Sequence, residues 1–317
     1  MKKRPSLNPK KKSKREYPKF LSLNKYLIIF GCLIFVSVCG YIIITNSDGS
    51  QPNIESPTDD TGVQASTSYQ ISVIDNSTGG DITNNTVLME NINKTDVINE
   101  IIHAANNGTP MITLGNGSEP RIMIVAGVHG AELPPQIAVT RLINNLKDEK
   151  INGTLYIVPF AIPHQTATLQ RLDNGTDPDR VAHISGTPLD IISNTSINNQ
   201  VTMLVDFHSA QPNDVPGKNC IIYDSENLQS LKLARFISNK TKSPLVKVGN
   251  YSGVLSTVSN RKGITSVVCE VLSPHSKVEP GSVELSYAYM MAFLEYAGVY
   301  VDPTIKYNIK PNETIKP

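Results

Sequence analysis

Hydrophobic and polar positions divide most of the chain into short apolar runs that alternate with segments of helical spacing. Runs such as RIMIVAGV (121–128) and QVTMLVDFH (200–208) are rich in Ile and Val, which predicts buried strands. Segments such as TDVINEIIHAANNG (95–108) and VELSYAYMMAFLEYAGV (283–299) place apolar residues three or four positions apart, which predicts helices. This alternation predicts an α/β domain with helices on both faces of a sheet.

The other predicted elements follow the same rules. Further strands are predicted in GTLYIVPFA, KNCIIY, SPLVKVG and GITSVVCEVL, and further helices in PPQIAVTRLINNLKDEK and SLKLARFISNKT. The long final helix is expected to stop at Gly298, because glycine is common just after a helix end.

One apolar run is too long for a strand. Residues 26–45 are twenty residues without a charge, and at about 1.5 Å per residue a helix of that length crosses a bilayer core of about 30 Å. The run predicts a transmembrane helix. A cleaved signal peptide is the alternative, but it would have a shorter apolar core and a small-residue cleavage site.

Charge is distributed unevenly around this run. Residues 1–25 contain ten Lys or Arg and one Glu, which leaves a net charge of −8 for the rest of a chain whose total is +1. Because positive flanks stay in the cytoplasm, we expect a basic cytoplasmic tail at 1–25 and the C-terminal part of the chain outside the cell membrane. An acidic body behind a basic tail is not the pattern of a nucleic-acid-binding protein.

The predicted transmembrane helix is followed by a polar segment. Residues 46–68 are rich in Ser, Pro, Asp and Gly, which is typical of a flexible stalk. We expect the folded domain to occupy 69–302 and the Lys- and Asn-rich residues 303–317 to form a loose tail.

Potential glycan acceptors also favour an outward-facing domain. Eleven Asn-x-Ser/Thr sequences follow the apolar run and none precedes it, although an Asn-rich chain also produces some by chance. Their asparagines are Asn76, Asn84, Asn93, Asn107, Asn116, Asn152, Asn174, Asn194, Asn239, Asn250 and Asn312.

Cysteines are too few for a disulfide scaffold. Cys220 and Cys269 lie in strand-like surroundings, so two buried thiols are expected, with a single bridge between them as the alternative.

Three of the predicted strands end at groups that bind metals or act as bases. They lead into His129, His208 and Glu270, and Glu132 follows His129 after a short turn. Ligands of α/β sheets gather beyond the carboxyl ends of strands. Two imidazoles and a carboxylate form a catalytic zinc site, and a further carboxylate such as Glu270 can serve as a general base. Asp206, two residues before His208, faces the same side of its strand and can orient an imidazole.

Each of these residues also has a purely structural interpretation. Glu132 alone fits the acidic preference of a helix N-terminus, and His129 alone fits a hydrogen-bonded core histidine. The matching positions of His208 and Glu270 favour a metal site.

The motifs GVHGAE (127–132), VDFHS (205–209) and VVCEV (267–271) resemble the succinylglutamate desuccinylase/aspartoacylase family of the zinc carboxypeptidase-like superfamily. The resemblance covers roughly residues 110–300. It implies a mixed, mostly parallel sheet of about eight strands flanked by helices. It also implies one Zn²⁺ held by His129, Glu132 and His208, with Glu270 as general base and proton donor.

The segment DPDRVAHISGTP (177–188) resembles the family's Asp-Leu-Asn-Arg motif but departs from it. Arg180 is kept where the family binds the substrate's carboxylate, whereas Asp179 replaces an Asn and adds a negative charge. Both are expected to bind substrate, and Arg171 is a candidate for stabilising an oxyanion. Surface ion pairs are the alternative for both arginines.

Together these features predict a membrane-anchored extracellular zinc hydrolase that cleaves an amide bond in a small-molecule or peptide substrate. A metallocarboxypeptidase acting on cell-wall or other extracellular peptides is one alternative. A catalytically inactive surface binding module of the same fold is the other.

Overall fold

The computed structural model describes residues 69–249 and 251–307 of the 317-residue chain. Residues 1–68 and 308–317 therefore lie outside the described residues, and with them the predicted cytoplasmic tail, transmembrane helix and stalk and most of the predicted tail. Across the described ranges, none of the helices combines the length and the apolar character needed to cross a bilayer.

The described residues form an eight-stranded sheet in the order β1-β2-β4-β3-β5-β8-β6-β7. Its four central strands are parallel, and antiparallel pairing occurs between β1 and β2, β2 and β4, and β6 and β8. The predicted mixed sheet of eight strands is therefore confirmed. The strands are β1 (Tyr69–Asp75), β2 (Thr109–Gly115), β3 (Arg121–Ala126), β4 (Thr154–Val158), β5 (Met203–Ala210), β6 (Cys220–Tyr223), β7 (Leu245–Lys247) and β8 (Thr265–Leu272).

The described ranges contain eight α-helices. The predicted helices correspond to α2, α3, α6 and α8, whereas α1, α4, α5 and α7 were not predicted. The helices are α1 (Thr86–Asn91), α2 (Asp96–Ala105), α3 (Leu133–Leu146), α4 (Pro163–Thr168), α5 (Pro188–Asn198), α6 (Leu228–Thr241), α7 (Leu255–Arg261) and α8 (Ser282–Ala297).

Helices cover both faces of the sheet, as the alternation of elements predicted. On β3, Ile122 and Ile124 pack into one core with α2, α3, α6 and α8, while Met123 and Val125 pack into a second core with α5 and α7. Successive side chains of a strand point to opposite faces, so a continuously apolar strand is one buried on both sides.

Two smaller predictions can be compared with the structure. The final helix ends before Gly298, which adopts the left-handed conformation at φ 68°. Cys220 and Cys269 are buried free thiols rather than a disulfide. Burial raises the pKa of the Cys220 thiol to about 12, so this sulfur stays protonated at neutral pH.

Residues 303–307 belong to the predicted tail but contact the domain. Ile305 and Tyr307 pack against the core that contains α2, α3, α6 and α8, and the Tyr307 hydroxyl donates a hydrogen bond to Glu295 Oε2 over 2.7 Å.

Candidate metal and catalytic site

The sheet brings together the three strand ends that the sequence singled out. β3, β5 and β8 are parallel neighbours, and His208 on β5 lies directly opposite Glu270 on β8. His129 follows β3 at the same edge of the sheet, and Glu132 is the last residue before α3.

A tight turn carries His129 and Glu132. The Glu132 N–H donates to His129 O over 3.1 Å, and helix α3 begins at the next residue. A Cβ added at Gly130 would lie 2.0 Å from the backbone carbon of Gln165, so only glycine permits this close approach to α4. The turn is therefore held against α4 as well as by its own hydrogen bond.

Gln136, in the first helical turn of α3, stabilises the chain turn that carries His129 and Glu132. Its fully buried side-chain amide donates to Glu132 O over 2.9 Å and to Gly130 O over 3.2 Å. Its oxygen accepts a hydrogen bond from Thr166 Oγ1 over 2.9 Å. Sequence reasoning missed Gln136, because a Gln inside an apolar helix gives no sign of which backbone carbonyls it faces.

The predicted ligands form one buried group. His129 Nδ1 lies 2.8 Å from Glu132 Oε1, and His208 Nδ1 lies 3.0 Å from Glu132 Oε2. One potential ligand atom from each residue lies within 4.8 Å of the others. Two imidazole nitrogens and a carboxylate are a donor set that catalytic zinc sites use, so these residues fit a metal ion.

Each imidazole faces a second carboxylate on its outer side. His129 Nε2 is hydrogen-bonded to Asp177 Oδ1 over 2.9 Å. His208 Nε2 lies 3.0 Å from Asp206 Oδ2, an ion-pair distance, although the pair is not aligned as a hydrogen bond. Carboxylates in this position orient imidazoles and raise their basicity as ligands. Asp206 was predicted for this place, whereas the contact of Asp177 was not.

Electrostatics show how strongly this donor set attracts positive charge. Burial opposes protonation of His208, but Asp206 and Glu132 outweigh it and raise its pKa well above the usual value. Burial likewise disfavours the charged form of Glu132, yet His129 and His208 hold the pKa of this carboxyl well below its usual range. A metal ion would supply the same positive charge that protons on the imidazoles supply.

Arg171 reaches this group from the loop after α4. Its Nη1 lies 2.5 Å from Glu132 Oε1 and 3.0 Å from His129 Nδ1, and its Nη2 lies 3.3 Å from Asp177 Oδ2. Because a carboxylate only accepts, the contact of His129 Nε2 with Asp177 requires a proton on Nε2, which in the neutral imidazole is the Nε2–H tautomer. That tautomer leaves Nδ1 free to bind a metal ion.

Glu270 lies beside the group but takes no part in it. Its side chain is buried, and its Oε2 has no hydrogen-bond partner among the described residues. Burial raises the pKa of this carboxyl to about 7, with the negative charge of Glu132 adding to the shift and the two histidines opposing it. A carboxyl with a pKa near neutrality is suited to accept and release protons.

Asp179 and Arg180 lie next to each other but do not form a close pair. Asp179 Oδ1 accepts the Leu255 N–H over 3.0 Å, and Asp179 Oδ2 lies 3.8 Å from Arg180 Nη1. Burial raises the pKa of Asp179 to about 6. Arg180 stacks on Tyr251 at 4.6 Å, and its Nη2 lies 4.0 Å from Asp177 Oδ2. The positive charge of Arg180 therefore faces two carboxylates.

All seven predicted site residues line one cavity of about 280 Å³: His129, Glu132, Arg171, Asp179, Arg180, His208 and Glu270. His275 also lines it, with its Nε2 3.8 Å from Glu132 Oε1. The cavity, which we call the catalytic cavity, thus combines a possible metal site with a possible base and two guanidinium groups.

Part of the chain resembles a known protein family. The family model for the succinylglutamate desuccinylase/aspartoacylase catalytic domain matches residues 118–181, which include His129, Glu132, Arg171 and Arg180. A search of curated proteins gave no match.

Solved structures share the fold. A succinylglutamate desuccinylase/aspartoacylase from Rhodobacter sphaeroides is 21% identical with a TM-score of 0.50, covering 62% of this chain and 61% of that one. A succinylglutamate desuccinylase from Silicibacter sp. is 17% identical with a TM-score of 0.52 and 65% coverage of each chain. The ectoine utilization protein EutE (DoeB) from Ruegeria pomeroyi is 18% identical with a TM-score of 0.52 and 66% coverage of each.

This chain therefore matches less than two thirds of the length of each of these three proteins. At such identities the likeness shows the fold. The resemblance predicted from the sequence motifs is confirmed, and the chain has the mixed α/β fold of these hydrolase-like proteins.

Proposed function

We propose that the chain is a zinc-dependent hydrolase that cleaves an amide bond, either as a deacylase or as a peptidase. One observation carries the proposal. His129, Glu132 and His208 form a buried group that fits a metal ion, and Glu270, a carboxylate outside that group, lies beside it in the same cavity.

The roles of the residues follow from their positions. Zinc bound by His129, Glu132 and His208 would polarise the substrate carbonyl and make water acidic enough to ionise near neutral pH. Glu270 accepts a proton from the attacking water and passes it to the leaving nitrogen. Arg171 donates N–H groups to the negative charge that develops on the carbonyl oxygen.

Metal removal tests this function directly. We expect the purified domain to hold about one zinc ion and to hydrolyse at least one member of a panel of N-acyl amino acids and peptides, because three protein ligands hold catalytic zinc firmly. Chelation should abolish hydrolysis, and added Zn²⁺ should restore it. Zinc-loaded protein that keeps no metal after dialysis would contradict the proposal, and metal without hydrolysis would favour the inactive binding module.

The charge of Asp179 affects whether the site prefers a substrate with a free carboxylate. A metallocarboxypeptidase needs a site for a free carboxylate, and Arg180 is the residue that the family pattern places there. Because Asp177 and Asp179 already face Arg180, we propose that this site favours a neutral group, such as an internal peptide amide, over a free carboxylate.

Replacing Asp179 with Asn is expected to change this preference. Asn can still accept the Leu255 N–H but no longer offsets the charge of Arg180. A charge-assisted hydrogen bond contributes about 1.5–3 kcal/mol. Arg180 is 43% exposed, so solvent screening favours the lower end. The ratio of kcat/KM for a carboxylate-bearing substrate to that for its amidated twin should rise by roughly 10-fold.

Asp214→Asn is the matched control, since Asp214 also lines the catalytic cavity but has no contact with Arg180 among the described residues. If both variants change the ratio equally, the effect is one of overall charge. If Asp179→Asn leaves it unchanged, Asp179 does not tune the site.

We also propose that the protein is anchored in the cell membrane by residues 26–45, with its domain outside. The exposure of the glycan acceptors supports this proposal. Nine of the eleven acceptor asparagines lie in the described ranges, and each of the nine is exposed, whereas buried Asn85 is not an acceptor. Asparagine is commonly exposed in any protein, so exposure makes glycosylation possible but does not require it.

Protease protection tests the orientation. Protease added to intact cells should digest an epitope placed after residue 50 and spare one within the first 25 residues, because positively charged flanks stay in the cytoplasm. Lysed cells, in which both epitopes should be digested, are the control. Protection of the C-terminal epitope in intact cells would reverse the orientation.

A further inference from the structure

The catalytic cavity has an apolar side in addition to its charged side. In the sheet, His129 and His208 lie at β3 and β5, Glu270 lies on the next strand, β8, and β6 and the edge strand β7 follow. The cavity therefore extends from the proposed zinc ligands past Glu270 toward the β7 edge of the sheet. The apolar residues that line it on β6, β7 and β8 and in the segments next to them include Ile222, Val246, Val248, Val254 and Val268.

Three of these residues form a row across neighbouring strands. Ile222 on β6 pairs in register with Val268 on β8 and with Val246 on β7. Paired residues point to the same face of a sheet, and strands are about 4.8 Å apart, so the row is about 10 Å wide. Glu270 is two residues beyond Val268 and faces the same side, about 7 Å further along β8. The row, which we call the apolar row, therefore begins close to the proposed general base.

The side chains of the apolar row are not used to pack the domain. The preceding residues of β6 and β8, Ile221 and Val267, point to the opposite face and pack into the core with α2, α3, α6 and α8. Within the described part of the chain, Val246, Ile222 and Val268 pack into neither hydrophobic core. Ile222 and Val246 are partly exposed, so their surface is accessible from the cavity. Covering exposed apolar surface is favourable, so this side of the cavity favours a ligand with an apolar group.

We propose that the apolar row binds an aliphatic group of the substrate on one side of the cleaved amide, so that the substrate class is amides with an aliphatic acyl group or side chain of several carbons. This inference rests on the proposed amide hydrolysis. Ile222 and Val246 supply the accessible contacts. Because the row contains no polar side chain, an acidic group placed on it would lose its hydration without gaining a partner from the row.

Two series of compounds test the inference and show which side of the amide the row binds. Both start from the panel compound that is cleaved fastest. One series lengthens the acyl group from acetyl through butyryl and hexanoyl to octanoyl, and the other lengthens the side chain on the amine side from alanine to norleucine. In one series kcat/KM should rise by roughly 4-fold for each methylene that the row covers. A carboxylate in place of the terminal methyl group should cancel this gain.

Variants of the row then show whether the gain belongs to it. Val246→Ala should reduce the ratio of kcat/KM for the longest compound to that for the shortest by roughly 3- to 10-fold, because it removes two methyl groups from the row. Val246→Thr should reduce the ratio as well, although it keeps the branched shape, because it adds a hydroxyl group. Ile222→Val, which removes one carbon, should reduce it by roughly 2- to 4-fold.

Leu245→Ala is the matched control. Leu245 is the neighbouring residue on β7 and is 36% exposed, but it points away from the row and does not line the catalytic cavity. Its replacement should leave the ratio at the wild-type value, since it removes apolar surface of the same strand without changing the row.

The outcomes separate the inference from the proposed hydrolysis. A gain that the row variants reduce and Leu245→Ala leaves intact supports the inference. Cleavage that does not depend on aliphatic length in either series, or a gain that the row variants and the control affect equally, overturns it while the hydrolase proposal stands. If the panel gives no substrate, the hydrolase proposal fails. Binding of N-acetyl- and N-octanoyl-alanine amide to the zinc-loaded protein then decides the inference. Equal affinities, or tighter octanoyl binding that Val246→Ala leaves unchanged, would overturn it.

Discussion

Replacing Glu270 with Gln is expected to lower kcat by roughly 100-fold or more, the usual contribution of a positioned acid or base, while zinc content stays unchanged. The substitution is nearly isosteric, but an amide cannot accept the proton of the attacking water. Glu270 lies outside the His129–Glu132–His208 group, so the metal ligands remain in place. Steady-state kinetics together with metal analysis of the same preparation measure both effects.

The pH dependence adds a second measurement. Burial, with the charge of Glu132, raises the pKa of Glu270 to about 7, and the residue acts as a base only when deprotonated. The wild-type rate should therefore fall as the pH drops through this pKa. A bound cation stabilises the carboxylate and moves this fall to lower pH. The fall should be absent in Glu270→Gln.

Glu284→Gln is the matched control for both measurements. Glu284 is 8% exposed and Glu270 9%, but Glu284 lies on α8 and does not line the catalytic cavity. If Glu270→Gln turns over at the wild-type rate, the base lies elsewhere, and His275 becomes the next residue to test.

Much of the fold could be predicted from the sequence because the central strands are buried on both faces. The apolar runs of β3, β5 and β8 stand out for that reason, and each leads to a residue of the candidate site. Each of these residues comes directly at the end of its own apolar run, so its place at a strand end can be recognised from the neighbouring residues alone. This placement therefore predicted that His129, His208 and Glu270 meet without knowledge of the strand order.

The peripheral elements were not predicted because their sequences lack such a signal. Strand β1, at the edge of the sheet, is only partly buried, and α4 has only six residues, too few for a helical period to show. The loop that follows α4 carries Arg171 and leads to Asp177, so the chain path through unpredicted elements decides how these two residues reach the ligands.

Side-chain partners were the least predictable part of the site. The sequence predicted that Asp179 and Arg180 bind substrate, but it indicated no partner for either side chain within the protein. In the structure Asp179 accepts a backbone N–H from Leu255, and Arg180 stacks on Tyr251. Both partners lie more than seventy residues away in the chain, where no spacing rule applies. Both residues line the catalytic cavity, but resemblance to a motif did not predict their contacts.

Replacing His208 with Ala is expected to remove most of the bound metal. Its Nδ1 faces Glu132 Oε2 over 3.0 Å, so the substitution takes away one of three proposed ligands. Loss of a group that only supports a ligand typically weakens metal binding by about 10- to 100-fold, and loss of the ligand itself should exceed that range. Competition with a chelator measures the zinc affinity. His129→Ala should lower this affinity to a similar extent.

His208→Ala should change both the stability of the metal-free protein and its response to added zinc. Without metal, the variant no longer contains the imidazole that Glu132 and Asp206 attract, and it leaves Asp206 buried with no positive partner among the described residues. Added zinc stabilises a protein in proportion to its occupancy of the folded state. The wild type should therefore gain several degrees in Tm from zinc, whereas His208→Ala should gain almost nothing.

His164→Ala supplies the matched control for these metal measurements. His164 also faces a carboxylate, Asp173 Oδ1 over 3.0 Å, but it lies outside the His129–Glu132–His208 group. Its removal should leave zinc affinity and the zinc-induced rise in Tm near wild-type values. Equal loss of zinc from His208→Ala and His164→Ala would mean that binding depends on the fold in general. Undiminished zinc in His208→Ala would place the metal on other ligands, and the proposed mechanism would fail with it.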